Sequence, residues 1–135
     1  MVPLVSYTSV GGFPLQELMD EETIEQLVQR TRKGGGEIVS YLKKGSAYYA
    51  PAASAAKMVE ALVRDEKRLV AASAYLTGEY GYKDIFLGVP VLLGKGGVEK
   101  VYELDLTKEE KAALDNSEEH VAEGVKTLES IYSPG

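Results

Sequence analysis

The chain has no cysteine in 135 residues, only one histidine, and no apolar run approaching the ~20 residues that a membrane span requires. The lack of cysteine excludes a disulfide framework, a thiolate metal site and a cysteine nucleophile. It also suits a reducing compartment, so a cytoplasmic location is expected. The opening Met1-Val2-Pro3-Leu4-Val5-Ser6-Tyr7 has no basic stretch leading into a long apolar one, so a soluble, untargeted protein with no membrane partner is expected. Excess positive charge is missing too. The formal net charge is −6, and the lysines are scattered among glutamates, which opposes the counterion release behind nucleic-acid binding. Nucleic acid is therefore set aside as a partner.

What is present is the composition of an ordinary globular domain, 44% hydrophobic and 27% charged. A chain of this length buries an adequate core without staples, and residues 1–135 are expected to form one domain. The first ten residues, closed by Gly11-Gly12-Phe13-Pro14, suggest an extended segment ending in a turn, and Pro3 speaks against an ordinary central strand. From Asp20 the spacing becomes helical: Asp20 caps, Glu21 and Glu22 favour the positive end of the dipole, and Ile24, Leu27, Val28 and Thr31 recur on one face. Gly34-Gly35-Gly36 is expected to kink or break this helix before a second piece with Ile38, Val39 and Leu42, which Lys43, Lys44 and Gly45 then stop.

After a loop from Ser46 to Ala50, Pro51 suits the first turn of another helix, with Ala55, Met58, Val59, Leu62 and Val63 on its apolar face. Leu69 to Leu76 predicts a strand, Gly78 to Gly81 a turn, and Ile85 to Leu93 a second strand whose Gly88 and Pro90 suggest a bulge or an edge. Gly94 to Gly97 predicts a hairpin turn into a strand in which Val98, Lys100, Tyr102 and Leu104 alternate with Glu99, Val101, Glu103 and Asp105. Thr107-Lys108-Glu109-Glu110 matches a capping box, and the closing helix carries Leu114, Val121, Val125, Leu128 and Tyr132 on one stripe before Ser133-Pro134-Gly135, which is expected to fray. The order predicts an α+β fold, a mainly antiparallel sheet with helices covering one face.

Candidates for chemistry are few. None of the glycine-rich stretches has dinucleotide or P-loop spacing between a strand and a helix, so a helix break and a hairpin turn are the favoured readings. His120, in Glu118-Glu119-His120-Val121, has the flanking carboxylates of a general base. Its place on the polar side of the last helix favours a solvated side chain, with Val121 facing the core. The acidic runs sit at helix starts and on polar faces, and no metal site or acid/base pair emerges. Tyr48-Tyr49 lie on a loop at a helix start, where a ligand could reach them, although packing beneath the loop is favoured.

Five stretches taken together carry a resemblance. Met1-Val2-Pro3-Leu4, Val10 to Leu15, Gly45 to Ala52, Leu76 to Gly81 and Gly88 to Gly94 resemble, in that order and at that spacing, the second half of lactate-dehydrogenase-like malate dehydrogenases. The resemblance implies the C-terminal, substrate-side fold of that family, with the N-terminal Rossmann domain absent. It implies an NAD-dependent oxidoreductase of the tricarboxylic acid cycle when the enzyme is whole, interconverting malate and oxaloacetate with a histidine–aspartate pair and substrate-gripping arginines. The resemblance puts that histidine in a G-x-H-G-D element just before the position of Met1, so the catalytic residues are expected to be missing and the chain inactive alone, with no cofactor of its own.

What carries over is a loop. Ser46 and Ala47 match positions beside the substrate, Ala47 leaving room for a dicarboxylate where lactate dehydrogenases tend to have threonine, and Pro51 matches a position against the nicotinamide ring. From the residues alone, a tight loop entering a helix explains the three equally well. The broken helix and the Ala-rich helix match segments that meet a partner subunit, so a homo-oligomer is expected, as is an exposed apolar face where the coenzyme domain docks. Alternatives are a stand-alone self-associating module without catalysis, or a split enzyme whose Rossmann half is a separate chain.

Overall fold

The computed structural model describes residues 1–132, and the tail expected to fray lies outside the described residues. The chain forms two compact units, Met1–Ala55 and Ala56–Gly135. The first opens on a 3-10 turn, Val5–Tyr7, where an extended segment was expected, followed by a two-residue hairpin of β1 (Ser9–Val10) and β2 (Phe13–Pro14). Gly11 and Gly12, at φ of 60° and 90°, make the anticipated turn. A short helix α1 (Leu15–Leu18) leads into α2 (Glu21–Leu42), and only Leu15 and Ile24 of these elements are buried.

Asp20 caps α2 as expected, its carboxylate accepting from the Thr23 N–H at 2.8 Å and the Thr23 hydroxyl at 3.0 Å. The expected break at Gly34–Gly36 does not occur, and α2 runs through it without interruption. Glycine weakens a helix by about 1 kcal/mol per residue but, unlike proline, removes no hydrogen-bond donor and blocks no turn. Arg30 also reaches across the glycines to Glu37 through two hydrogen bonds of 2.9 and 3.1 Å. Nor does Gly45 stop α2. The left-handed residue at its end is Lys43, at φ 64°, whose N–H donates to the Val39 carbonyl at 3.0 Å.

Helix α3 (Tyr49–Val63) crosses from one unit into the next. Its buried residue is Ala61, whereas Val59 and Val63 of the expected apolar face are exposed, as is the small-residue stretch from Ala52 to Ala56. The second unit is built on three antiparallel strands in the order β3-β4-β5: β3 (Arg68–Thr77), β4 (Lys83–Gly94) and β5 (Gly97–Val101). With α4 (Lys108–Tyr132) packed on β4, it has the α+β layering the sequence predicts. Ala74, Leu76, Ile85, Leu87, Val89 and Val91 form the core on one face of the sheet, and Leu76 and Val91 are fully buried.

Gly88 and Pro90 neither bulge nor interrupt β4, pairing in register with Ser73 and Ala71. The irregularities fall instead at Leu76/Thr77 and Leu92/Leu93. Pro90 is tolerated because β5 pairs only from Val91 onward. The carbonyl of Pro90 accepts from the Tyr102 N–H at 2.9 Å just past the end of β5, so its missing N–H breaks no rung of that ladder. The hairpin turn at Gly94–Gly97 forms as expected, with Gly97 at φ 91°.

The last strand is shorter than its alternation suggests, because Tyr80 takes over the backbone of the following residues. Its hydroxyl donates to the Tyr102 carbonyl at 2.7 Å and accepts from the Leu104 N–H at 3.0 Å, while its own N–H donates to the Glu103 carboxylate at 2.6 Å. A second tie joins the α3–β3 loop to the hairpin: Lys67 donates to both Glu99 oxygens at 2.5 and 2.6 Å, and Asp65 accepts from the Lys95 N–H at 2.9 Å. A Cβ at Gly94 would lie 2.4 Å from Glu99 Oε1 and 2.9 Å from Asp65 Oδ1, so glycine is what lets this tie close.

The capping box of α4 is formed in both directions. The Thr107 N–H donates to Glu110 Oε2 at 3.0 Å, and the Glu110 N–H to Thr107 Oγ1 at 3.2 Å. The apolar stripe of α4 is only half used. Leu114 is buried and Ala122 packs on the core, but Val121, expected to face inward, is exposed, as are Val125, Leu128 and Tyr132. Helical periodicity marks a face and says nothing about whether the chain supplies its cover. Thr107→Ala is expected to lower unfolding stability by about 1 kcal/mol in urea denaturation, since it leaves the Glu110 N–H without its side-chain acceptor.

Candidate functional site

The loop that carries the sequence-predicted site residues is shaped by two left-handed residues, Lys43 at φ 64° and Gly45 at φ 88°. Between them the chain leaves the axis of α2, and the next residues lead into α3. The Tyr48 N–H donates to the Ser46 carbonyl at 3.0 Å, and the Tyr48 carbonyl accepts the first bond of α3, from the Ala52 N–H at 3.0 Å. Tyr48 thus connects the Ser46–Ala47 bend directly to the helix that carries Pro51. Pro51 is the third residue of α3, among the opening residues whose N–H has no partner inside the helix, so its ring is accommodated at no cost in hydrogen bonding.

Ser46 and Pro51 are exposed and Ala47 is half-buried. The tyrosines do not pack beneath the loop as favoured from sequence. Their rings lie against each other, centroids 4.9 Å apart and tilted by 36°, and are 59% and 78% exposed. From Ser46 to Pro51 the loop can therefore offer hydroxyls, a small methyl, an aromatic pair and a proline ring to a ligand, with the exposed Lys43 and Lys44 just before them.

His120 stands exposed on α4, its Nδ1 2.6 Å from the Asn116 carbonyl. A carbonyl only accepts, so this nitrogen carries the proton, and the ring is tied to its own helix. Among the described residues no group of three or more acidic or histidine side chains could hold a metal ion.

Sequence reasoning missed a Tyr82–Lys111–Asp115 cluster in the second unit. The Tyr82 hydroxyl donates to Asp115 Oδ1 at 2.5 Å and accepts from Lys111 Nζ at 2.8 Å, and Lys111 also donates to Asp115. The ammonium lies 4.5 Å from the Tyr82 ring centroid. Burial first, and then the bond to Asp115, raises the tyrosine above its ordinary value. The bond to Asp115 raises Lys111, and the bond from Lys111 lowers Asp115. At neutral pH the cluster is a neutral phenol between a cation and an anion, each held in its ordinary state. That suits fastening α4 to the start of β4 and not proton transfer. The Lys111/Asp115 spacing of four residues was visible in the sequence, but their partner 29 and 33 residues away was not.

Fold and loop together define a class of protein, and the comparisons with known proteins agree with it. The chain belongs to the lactate/malate dehydrogenase family, as its alpha/beta C-terminal domain, with the match running over residues 1–131. The relatives it resembles by sequence are malate dehydrogenases. Over 129 residues it is 60% identical to that of Anoxybacillus flavithermus and 58% to that of a Geobacillus species, covering 96% of this chain and 41% of each relative. Among solved structures, the malate dehydrogenase of Salinibacter ruber superposes with a TM-score of 0.93 at 49% identity, covering 98% of this chain and 43% of that one. A lactate dehydrogenase of Eimeria maxima, solved with NADH and oxamate, gives 0.91 at 40% identity, covering 97% and 42%. The chain thus spans about two fifths of the length of these proteins.

Two predictions follow from the geometry. Lys43→Gly, at a left-handed position that costs a β-carbon-bearing residue about 1 kcal/mol, is expected to raise stability by up to that amount in thermal or urea unfolding. Asp115→Asn is expected to destabilise the chain at neutral pH. Because the folded state lowers the Asp115 pKa, its contribution is complete above the ordinary aspartate value of 3.8 and is lost as pH falls through the lower folded value. Urea titrations should therefore show the gap between variant and parent closing below pH 3.8.

Proposed function

We propose that this chain is the substrate-side and subunit-contact portion of an NAD-dependent malate dehydrogenase that interconverts malate and oxaloacetate when whole. The observation that carries the reading is the 60% identity to a malate dehydrogenase over 96% of the chain. In this reading Ser46 and Ala47 form the wall beside the substrate, the small Ala47 leaving room for the second carboxylate. The exposed Pro51 ring lies against the nicotinamide. Tyr48 holds the two parts of the wall in register through its paired backbone bonds.

The residues present do not fit a dinucleotide site by themselves. The N–H groups of Gly34–Gly36 are engaged inside α2, and Gly94–Gly97 forms a hairpin, so neither stretch offers a phosphate cradle at a helix start. His120, bound through Nδ1 to its own helix, stands on α4 and not on the loop of Ser46, Ala47 and Pro51. NAD and the proton-transfer pair therefore belong to the remaining part of the longer protein, whether on one chain or on a separate half that reassembles, and this chain alone is inactive. The exposed Ala52–Ala56 stretch and the exposed Val59 and Val63 of α3 support a role in meeting a partner subunit.

The purified chain is expected to give no turnover of oxaloacetate with NADH above buffer. Fused behind the remaining N-terminal part of the Anoxybacillus flavithermus relative, it is expected to give turnover. Ala47→Thr in that fusion should raise KM for oxaloacetate by roughly 10-fold or more while affecting the smaller keto acid pyruvate less. Activity of the isolated chain that survives purification would refute its inactivity, and a folded, inactive fusion would refute the substrate-side role.

A further inference from the structure

Acidic residues outnumber basic ones in this chain by 21 to 15, and the formal net charge is −6. Averaged over its surface, the chain repels a dicarboxylate, which is a dianion at neutral pH. The carboxylates are unevenly spread, however. From Ile38 to Val59, the longest stretch of the sequence without one, the charged residues are Lys43, Lys44 and Lys57. That stretch contains the bend of Ser46, Ala47 and Pro51.

Lys43 and Lys44 are exposed, and among the described residues no ion pair holds their ammonium groups. Lysines at the end of α2 have an ordinary use, which is to offset the negative end of the helix dipole. That end carries roughly half a charge, so one lysine is enough and the second is an excess, and the positive end of the 15-residue α3 follows at once. Backbone geometry also speaks for the side chain at position 43. Lys43 holds φ 64°, a conformation that glycine adopts at a helix end without strain, and a β-carbon there costs about 1 kcal/mol. An ammonium is thus kept where the helix stop would be more stable without it.

Adjacent Cα atoms are about 3.8 Å apart, so those of Lys43 and Lys44 lie within about 11 Å of the Ser46 Cα by any path of the chain. The Debye length is about 10 Å at 0.1 M salt and about 30 Å at 0.01 M, so both charges act on an anion at the wall in low salt and are largely screened in high salt. We propose that Lys43 and Lys44 are the capture residues of this wall: they draw the dicarboxylate substrate toward Ser46 and Ala47 against the net negative charge of the chain, and take no part in the chemical step. The proposal rests on the substrate-side reading above.

The fusion described above, assayed with oxaloacetate across a salt series, tests it. At an ionic strength of about 0.01 M, Lys43→Gln/Lys44→Gln is expected to lower kcat/KM by roughly 3-fold or more through KM, with kcat unchanged. The gap should close as salt rises to about 0.5 M, where screening at these distances is nearly complete. Lys43→Arg/Lys44→Arg keeps the charge and should keep the parent value. Lys95, in the hairpin turn, and Lys100, on β5, are also exposed. Lys95→Gln/Lys100→Gln removes the same net charge and should change kcat/KM little. Lys43→Gly separates charge from folding, since it is expected to stabilise the chain and still to lower kcat/KM.

Parent kcat/KM in the double glutamine variant at low salt overturns the proposal. So does a loss that persists at high salt, a loss confined to kcat, or an equal loss in Lys95→Gln/Lys100→Gln. Circular dichroism identifies a variant that fails to fold, and Lys43→Gly and Lys44→Gln, made singly, replace the double variant if it does. The two readings fail differently. A fusion that turns over with no salt-dependent gap refutes the capture role alone, whereas a folded fusion without turnover refutes the substrate-side reading and the capture role with it.

Discussion

The antiparallel ladder between β3 and β4 is the constraint on which the second unit depends. It sets Ala74, Leu76, Ile85, Leu87, Val89 and Val91 on one face, where α4 packs, and by the same alternation sets Leu69, Tyr75 and Phe86 on the other. A strand slipped by one residue exchanges its two faces. In most sheets that exchange exposes the core and is strongly opposed. Here both faces are apolar, so burial alone discriminates weakly between registers, and the register needs other anchors.

Those anchors lie at the ends of the ladder. The hairpin turn at Gly94–Gly97 fixes β5 on β4, and Lys67 and Asp65 bind the α3–β3 loop to that hairpin. At the opposite end Tyr80 and Glu103 hold the segment after β5, and Tyr75 holds the left-handed Asp84. The exposed carboxylates and ammonium groups in these ties act as register pins more than as sources of stability, since exposed ion pairs contribute little net free energy. Tyr82, Lys111 and Asp115 do the same for α4, whose capped first half sits on β4 while its apolar second half remains exposed.

The first unit is constructed differently. It buries only Leu15 and Ile24 of its own elements and leaves most of α2 exposed, including Leu27, Ile38, Tyr41 and Leu42. Its ordered feature is the bend from Lys43 to Ala52, where two left-handed residues and the bonds of Tyr48 set Ser46, Ala47 and Pro51 in fixed succession. In the reading proposed above, a segment with so little core of its own and so defined a loop supplies one wall of a site completed elsewhere.

The amino-acid sequence by itself determined whatever depends on neighbours a few residues apart. The Asp20 cap, the Thr107–Glu110 box, the Gly11-Gly12 and Gly94–Gly97 turns, the two long strands and the family resemblance were all legible, because each rests on local backbone chemistry or on the order of short motifs. Tertiary structure decided the rest. Gly34–Gly36 weaken a helix without removing a donor, so α2 could run through them, and whether Pro90 marked an edge depended on where β5 stopped pairing. Whether Val121 and Val125 were core depended on how much of α4 the sheet covers. Periodicity shows which side of an element is apolar, but only contacts between residues distant in the chain decide what, if anything, lies against it.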